Sequence, residues 1–230
     1  PEFDGYTDSV VPKTPELRAY LKLISLRADK VRAHKVKRTE DNMLKITTDG
    51  RKAALDVRLV NDKANFSLKS KVYVCSDNVY KIYVNSAETN GTQLVFCDSS
   101  TPKAGLNMYD ELKRLLVGRG IPEEEIAYIH DAKSDKEKNE ILEDTRASKI
   151  RVLIGSTWKL GIGVNVQDHL IAMHHLDVPW RPADMVQREG RIIRQGNLNS
   201  RVYIFRYITE GSFDAYSWQL LETKQRFINE

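Results

Sequence analysis

The densest candidate chemistry in the chain is the string Gln187-Arg188-Glu189-Gly190-Arg191-Ile192-Ile193-Arg194-Gln195-Gly196. Its arginines recur every third residue, a spacing that on a helix brings successive side chains to nearly the same face. Guanidinium groups crowded in this way repel one another unless an anion offsets them. Phosphate suits that role, because its oxygens match the guanidinium fork with two parallel hydrogen bonds. A nucleoside triphosphate is the obvious anion. In phosphoryl transfer an inserted arginine neutralises charge developing on the transferred group, with an effect on the order of 10³–10⁵ in rate. A basic surface helix that binds nucleic acid, or only water, has the same spacing, and the residues alone leave both readings open.

A second constellation is Ser156-Thr157-Trp158-Lys159-Leu160-Gly161-Ile162-Gly163-Val164-Asn165. It follows an apolar run, so its hydroxyls stand where a strand ends and can donate to a phosphate. Gly161 and Gly163 let the backbone approach a ligand closely; a plain turn has the same composition. Ser99 and Ser100 follow another apolar run in the same way, and Lys103 and Lys159 suit backbone phosphates by charge. His174-His175 lacks the further ligands a metal needs, so no metal site is assigned and one imidazole is expected to pack inside. Trp218 reads as core, and Trp180 as packing beneath the helix that follows it. Trp158 could stack on a base or pack on another domain.

The elements that position these residues are legible from periodicity. Thr14-Pro15-Glu16 caps a helix, and two further helical stretches run over about Asp49–Val60 and Ser67–Ala87. That leading tract reads as helical, without strands of the core type. From Asn90-Gly91 the pattern changes. Strands are expected at Gln93–Cys97, Glu125–His130, Arg151–Gly155, His169–His175 and Arg201–Ile208. Helices are expected at Met108–Val117, Asp135–Arg146, Ala183–Arg194 and about Ser212–Ile228. The alternation predicts an α/β fold with a mostly parallel sheet covered by helices on both faces, preceded by a helical segment. Residues 1–89 read as a partly basic connector or protrusion, and residues 90–230 as the main domain. In such sheets the loops after the strands bind ligands, and the polar clusters fall there.

Composition sets the outer bounds. The chain has 230 residues, 41% hydrophobic and 30% charged, with a formal net charge of +4. That describes a globular protein with a real core. No run of 18 apolar residues exists, which excludes a helical membrane span. The Pro1-Glu2-Phe3 start suggests a chain cut from a longer protein. Cys75 and Cys97 lie in apolar runs, so buried free thiols and the cytoplasm are expected rather than a disulfide. Charge is uneven: Arg18–Arg38 is basic and Glu123–Asp144 acidic. A polyanion could dock on one side, or both segments could be solvated helix faces.

No G-x-x-x-x-G-K-[ST] phosphate loop and no Asp-Glu string after a strand is present. A Rossmann-type transferase fits poorly, because Asp98-Ser99-Ser100-Thr101 stands where G-x-G-x-x-G would be wanted.

The order of the pieces resembles a known family. STWKLGIGVN followed by HHLDVPWRPADMVQREGRIIRQGN looks like motifs five and six of superfamily-two helicases, and Asp177–Ala183 is similar to SWI/SNF-type translocases in particular. QLVFCDSS at Gln93–Ser100 stands where motif four would, and Ile208–Ile228 resembles the helix closing that domain. A narrower resemblance is to the helicase part of DNA methylase–helicase fusion proteins of phages and mobile elements. The resemblance implies the second RecA-like domain of an ATP-dependent DNA translocase. Its cleft would be shared with a first RecA-like domain that supplies the lysine and Mg²⁺ ligands for ATP. It further implies Arg194 as the arginine finger with Arg191 beside it, and Gln187 coupling nucleotide to nucleic acid. Gly161, Gly163 and Asn165 would lie on the nucleotide side, Asn165 standing where related RNA helicases have aspartate. Ser156, Thr157, Ser99, Ser100, Lys103 and Lys159 would face DNA, double-stranded by the same resemblance. The alternative is a catalytically inactive nucleic-acid-binding or docking module of the same fold.

Overall fold

The structure, a computed structural model, describes residues 1–161 and 163–229. Its centre is one parallel sheet of six strands in the order β1-β6-β5-β2-β4-β3. These are β1 (Tyr6–Val11), β2 (Thr92–Phe96), β3 (Ile126–Tyr128), β4 (Val152–Gly155), β5 (Leu170–His175) and β6 (Tyr203–Thr209). Among the described residues, seven α-helices accompany them: α1 (Pro15–Arg32), α2 (Met43–Leu55), α3 (Lys71–Asn85), α4 (Met108–Arg119), α5 (Asp135–Arg146), α6 (Pro182–Glu189) and α7 (Phe213–Asn229).

The sheet is buried on both faces, which explains why its strands read as continuous apolar runs. Along β2 the side chains alternate between two cores. Val95 joins Val72, Cys75 and Val79 of α3 and Met108, Leu112 and Leu116 of α4. Leu94 and Phe96 face the opposite side with Leu142 of α5, Leu160, Val164 and Ile192. β4 and β6 split in the same way, Ile154 and Phe205 to the first core, Leu153 and Ile204 to the second. The helices start where the sequence supplies caps. Thr14, Asn42, Ser70, Asn107 and Ser134 each accept a backbone N–H of the first turn.

Four expectations need correcting. The leading tract is not free of strands, because Tyr6–Val11 pairs in parallel with Tyr203–Thr209 and adds an edge to the sheet. Its polar sequence hid it; Asp8 is matched from β6 by Arg206, at 2.6 and 2.7 Å. The second helix begins at Met43 and ends before Asp56, whose carboxylate caps the turn Val57–Leu59. β3 is three residues long, flanked by 3₁₀ turns at Glu123–Glu125 and Ile129–Asp131. The helix expected to run through Arg194 stops at Glu189, and Ile192 turns inward to the second core, fully buried. Arg191 and Arg194 are therefore presented by turns rather than by a helix face.

Among the described residues, no helix is long and apolar enough to cross a membrane. Both cysteines are free and buried.

Candidate functional site

The loops at the carboxyl ends of β2, β4 and β5 meet around one side chain, Arg188 of α6. Its guanidinium is fully buried and donates to five acceptors. Nε reaches Thr157 Oγ1 at 2.8 Å, and Nη1 reaches the Asp177 carbonyl at 3.0 Å and His175 Nδ1 at 3.1 Å. Nη2 reaches Asp98 Oδ2 at 2.8 Å and Asp177 Oδ1 at 3.1 Å. The acids are tied in turn. Asp177 accepts the backbone N–H groups of Asp98 and Ser99 at 2.7 and 2.6 Å. Asp98 accepts the backbone N–H and the hydroxyl of Thr157, both at 2.7 Å. Burial alone would raise the Asp98 pKa, but the Arg188 charge and the Thr157 hydrogen bonds outweigh it and hold the carboxyl below its ordinary value. His175 is buried and shifted toward the neutral form by desolvation. With Nδ1 accepting from Arg188, Nε2 carries the proton and donates to Glu189 Oε1 at 3.1 Å.

The anion demanded by Arg188 is thus internal: Asp98 and Asp177. Sequence reasoning assigned neither acid a role. The available signal was an acid just beyond the end of each of two apolar runs, Phe96-Cys97-Asp98 and His175-Leu176-Asp177. Those runs pair directly in the sheet, Phe96 opposite His175.

Two clefts flank this knot. The first, about 530 Å³, is lined by Asp98, Thr101, Ser156, Thr157, Trp158, Gly161, Arg181, Asp184 and Gln187. The second, about 490 Å³, is lined by Gly163, Asn165, Val186, Gln187, Gly190, Arg191 and Arg194. Gln187 borders both, so the residue expected to couple nucleotide and nucleic acid stands between two cavities.

In the second cleft Arg194 is exposed. Arg191 is half-buried and turned to the preceding loop, donating to the carbonyls of Val164 at 3.1 Å and Gly161 at 2.7 Å. Its Nε is buried with no hydrogen-bond partner. Desolvation, with the Arg194 charge second, lowers the Arg191 pKa. Two like charges converge there with no carboxylate in the lining, an electrostatic deficit that a polyanion would relieve. Gly163, at φ +90° and with open space around it, gives a left-handed backbone that other residues rarely adopt. Gly161 serves its own turn: a Cβ there would lie 2.9 Å from the Trp158 carbonyl. Asn165 is exposed, its carbonyl accepting from Arg146 at 2.6 Å.

Of the hydroxyls expected to face nucleic acid, Ser156 and Thr157 line the first cleft. Thr157 Oγ1 is engaged by both Arg188 and Asp98. Ser156 Oγ accepts the Lys159 N–H at 3.2 Å, and buried Ser100 Oγ accepts the Met108 N–H at 3.0 Å. Thr157 thus has its O–H committed to Asp98, whereas Ser156 and Ser100 act in these bonds only as acceptors. Ser99 is partly exposed, and Lys103 and Lys159 are exposed.

Of the histidines, both His174 and His175 are fully buried. Trp218 is core. Trp180 is half-exposed and carries the Arg51 guanidinium 3.9 Å from its ring centroid, so it packs against α2 instead of beneath α6. Arg51 also donates to the Val178 carbonyl. Among the described residues, no group of three His, Cys, Asp or Glu side chains could hold a metal ion.

Comparison with known proteins bears on the fold that carries these clefts. Among solved structures, the C-terminal domain of the Sulfolobus solfataricus SWI2/SNF2 ATPase is similar with a TM-score of 0.62 at 14% identity, covering 96% of this chain and 86% of that one. The C-terminal part of the Fun30 ATPase domain gives 0.52 at 18% identity, covering 71% and 49%. S. cerevisiae Dbp5 bound to RNA and ADP BeF3 gives 0.50 at 19% identity, covering 69% and 36%. At these identities the likeness is one of fold, RecA-like α/β. The "Defense against restriction protein B" of Escherichia phage P1 is 36% identical over 72 residues, 31% of this chain. The chain spans 3% of the length of that relative. The model of the helicase conserved C-terminal domain matches residues 75–196, and the chain belongs to that family of helicase-type ATPase domains.

Proposed function

We propose that this domain is the second half of a DNA-translocating ATPase, and that Arg194, with Arg191 beside it, completes a nucleotide site whose other wall is a first RecA-like domain. The observation that carries the reading is the 490 Å³ cleft, where two guanidinium groups and the unpartnered Nε of Arg191 meet without a lining acid. That donor set fits the phosphates of ATP and offers nothing to Mg²⁺, so the metal ligands and the phosphate-binding lysine would come from the first domain. ATP bound there would supply the phosphoanhydride whose hydrolysis drives movement along DNA. Gly163 and Asn165 would lie along the nucleotide, Arg194 would reach the terminal phosphate, and Arg191 would hold the Gly161 and Val164 carbonyls while adding positive potential.

Across Gln187, the first cleft would take the nucleic-acid backbone, with Ser156 at its wall and Thr157 holding the loops in shape, and Ser99, Ser100, Lys103 and Lys159 would meet that backbone outside the cleft. Closure of the two domains would change both clefts together, because α6 contributes to each. Within residues 1–89, β1 and α3 belong to the sheet and its first core, so a connector or protrusion would be confined to α1 and α2. The reading keeps the protein in the cytoplasm, consistent with two buried free thiols. The similarity to a protein of Escherichia phage P1 supports the phage or mobile-element side of the reading; a fused DNA methylase is proposed on the sequence resemblance alone.

One observation favours a docking module without catalysis: both terminal nitrogens of Arg191 already donate to loop carbonyls. DNA-stimulated ATP hydrolysis by the full-length protein, wild type against Arg194→Ala at fixed salt, separates the two. The motor reading expects the substitution to lower turnover on the order of 10³-fold while DNA binding persists. Absence of DNA-stimulated turnover in the wild type, or full turnover in the variant, would overturn it.

A further inference from the structure

Trp158 is 89% exposed, more than any other large apolar side chain among the described residues. An indole left in water on a mobile tail would mean little, but this one stands on a braced turn. Leu160 N–H donates to the Ser156 carbonyl at 3.0 Å, Lys159 N–H to Ser156 Oγ at 3.2 Å, and Thr157 N–H to Asp98 at 2.7 Å. Neighbouring Leu160 is buried in the second core. The backbone is anchored on both sides while the ring projects outward.

The ring also divides two cavities. On one side lies the 530 Å³ cleft already described. On the other is a groove of about 310 Å³ lined by Ile129, Ala132, Lys133, Ser134, Asp135, Lys138, Trp158 and Lys159. Three ammonium groups face one carboxylate there, and no ion pair among the described residues engages Lys133, Lys138 or Lys159. A rigid exposed ring between an unneutralised lysine groove and a second cleft matches the requirements of a polyanion that also carries flat apolar faces. Single-stranded nucleic acid has both: phosphates for the lysines and a π-face on every base.

We propose that Trp158 is a base-stacking post, receiving one unpaired nucleobase where a strand passes from the Ser156–Gly161 loop into the lysine groove. This rests on the reading of the domain as a nucleic-acid motor half and narrows it. The strand at this loop is unstacked at one base instead of remaining within an intact duplex. A purely phosphate-tracking surface has no use for the ring.

The test uses this 230-residue chain and fluorescence anisotropy with two probes of equal charge. One is an oligothymidylate of about 12 nucleotides, the other an abasic deoxyribose-phosphate strand of the same length. Trp158→Ala removes no core contact, so its fold is expected to persist. It should weaken oligothymidylate binding about tenfold and abasic binding less than about twofold, with Trp158→Phe restoring most of the loss. The double variant Lys133→Ala/Lys159→Ala should weaken both probes. If the lysine variant weakens both and Trp158→Ala changes neither, or weakens both equally, the post is refuted and the nucleic-acid track stands. If the wild-type chain binds neither probe, both are refuted.

Discussion

Replacing Arg188 with methionine tests whether the knot at the strand ends holds the domain together. The methionine keeps the apolar stem and removes a fully buried guanidinium with five hydrogen bonds. Asp177, almost wholly buried, and Asp98, mostly buried, would keep their charges with only backbone and hydroxyl donors in compensation. Breaking a buried ion pair by deleting one partner costs about 3–5 kcal/mol, a large part of the roughly 5–15 kcal/mol that stabilises a domain. For a domain of this size that corresponds to a fall in Tm of roughly 6–20 °C. The assay is urea unfolding followed by far-ultraviolet circular dichroism, comparing wild type, Arg188→Met, and the triple variant Arg188→Met/Asp98→Asn/Asp177→Asn. The triple variant carries no stranded charge and should recover more than half of the loss. The pH dependence has a definite sign. The Asp98 carboxyl is held below its ordinary value in the folded chain. Its contribution is therefore present above the unfolded pKa near 3.9 and is lost as pH falls through the lower folded value. The gap between wild type and Arg188→Met should accordingly narrow below about pH 4. A single variant that loses less than about 1 kcal/mol at pH 7, or a triple variant no better than the single one, would refute the electrostatic account.

Two further outcomes follow from other parts of the core. Burial, with the His175 charge second, lowers the His174 pKa to about 3. Relative to about 6.5 unfolded, this residue should cost about 2 kcal/mol of stability between pH 7 and pH 5, because only the unfolded chain takes up the proton. His174→Gln should flatten the slope of urea midpoint against pH over that interval, and an unchanged slope would exclude His174 as its source. At the end of β4, a Cβ on Gly155 would lie 2.5 Å from Leu160 Cδ1 and 2.8 Å from Ile129 Cγ2. Gly155→Ala should therefore destabilise by about 1–3 kcal/mol in the same unfolding assay, and a neutral result would show that the 156–160 loop yields freely.

Much of this molecule is legible in its sequence. Continuous apolar runs flag the buried parallel strands, and Thr14-Pro15-Glu16 announces its helix. Where reading failed, the reason was that long-range pairing overrode local pattern. Tyr6–Val11 carries Asp8 and Ser9 within six residues, and only its partner β6 makes it a strand. The helix at Ala183–Arg194 looked continuous because Arg188, Arg191 and Arg194 share a spacing, yet buried Ile192 ends it early. Ser156, Thr157, Gly161 and Gln187 line one cleft and Gly163, Asn165, Gln187, Arg191 and Arg194 its neighbour, whereas Ser99, Ser100, Lys103 and Lys159 line neither, a division that linear order does not show. Arg188 was counted among exposed anion binders, whereas Asp98 and Asp177 consume it. Nothing in linear order shows that those acids, 79 positions apart, converge on one guanidinium.

The pairing of β1 with β6 has a consequence for how the chain is built. Asp8 and Arg206 are separated by 198 positions. Closing a loop of that length costs about 5 kcal/mol of chain entropy before a single contact across it is rewarded. The inner strands, whose partners come sooner along the chain, can assemble without meeting that expense. By this term the outer seam is the last to zip. While it is open, β6 offers a bare row of amides and carbonyls to any extended segment nearby. The Asp8–Arg206 pair sits at the middle of that seam as a selective fastener, favouring the native strand over a stranger.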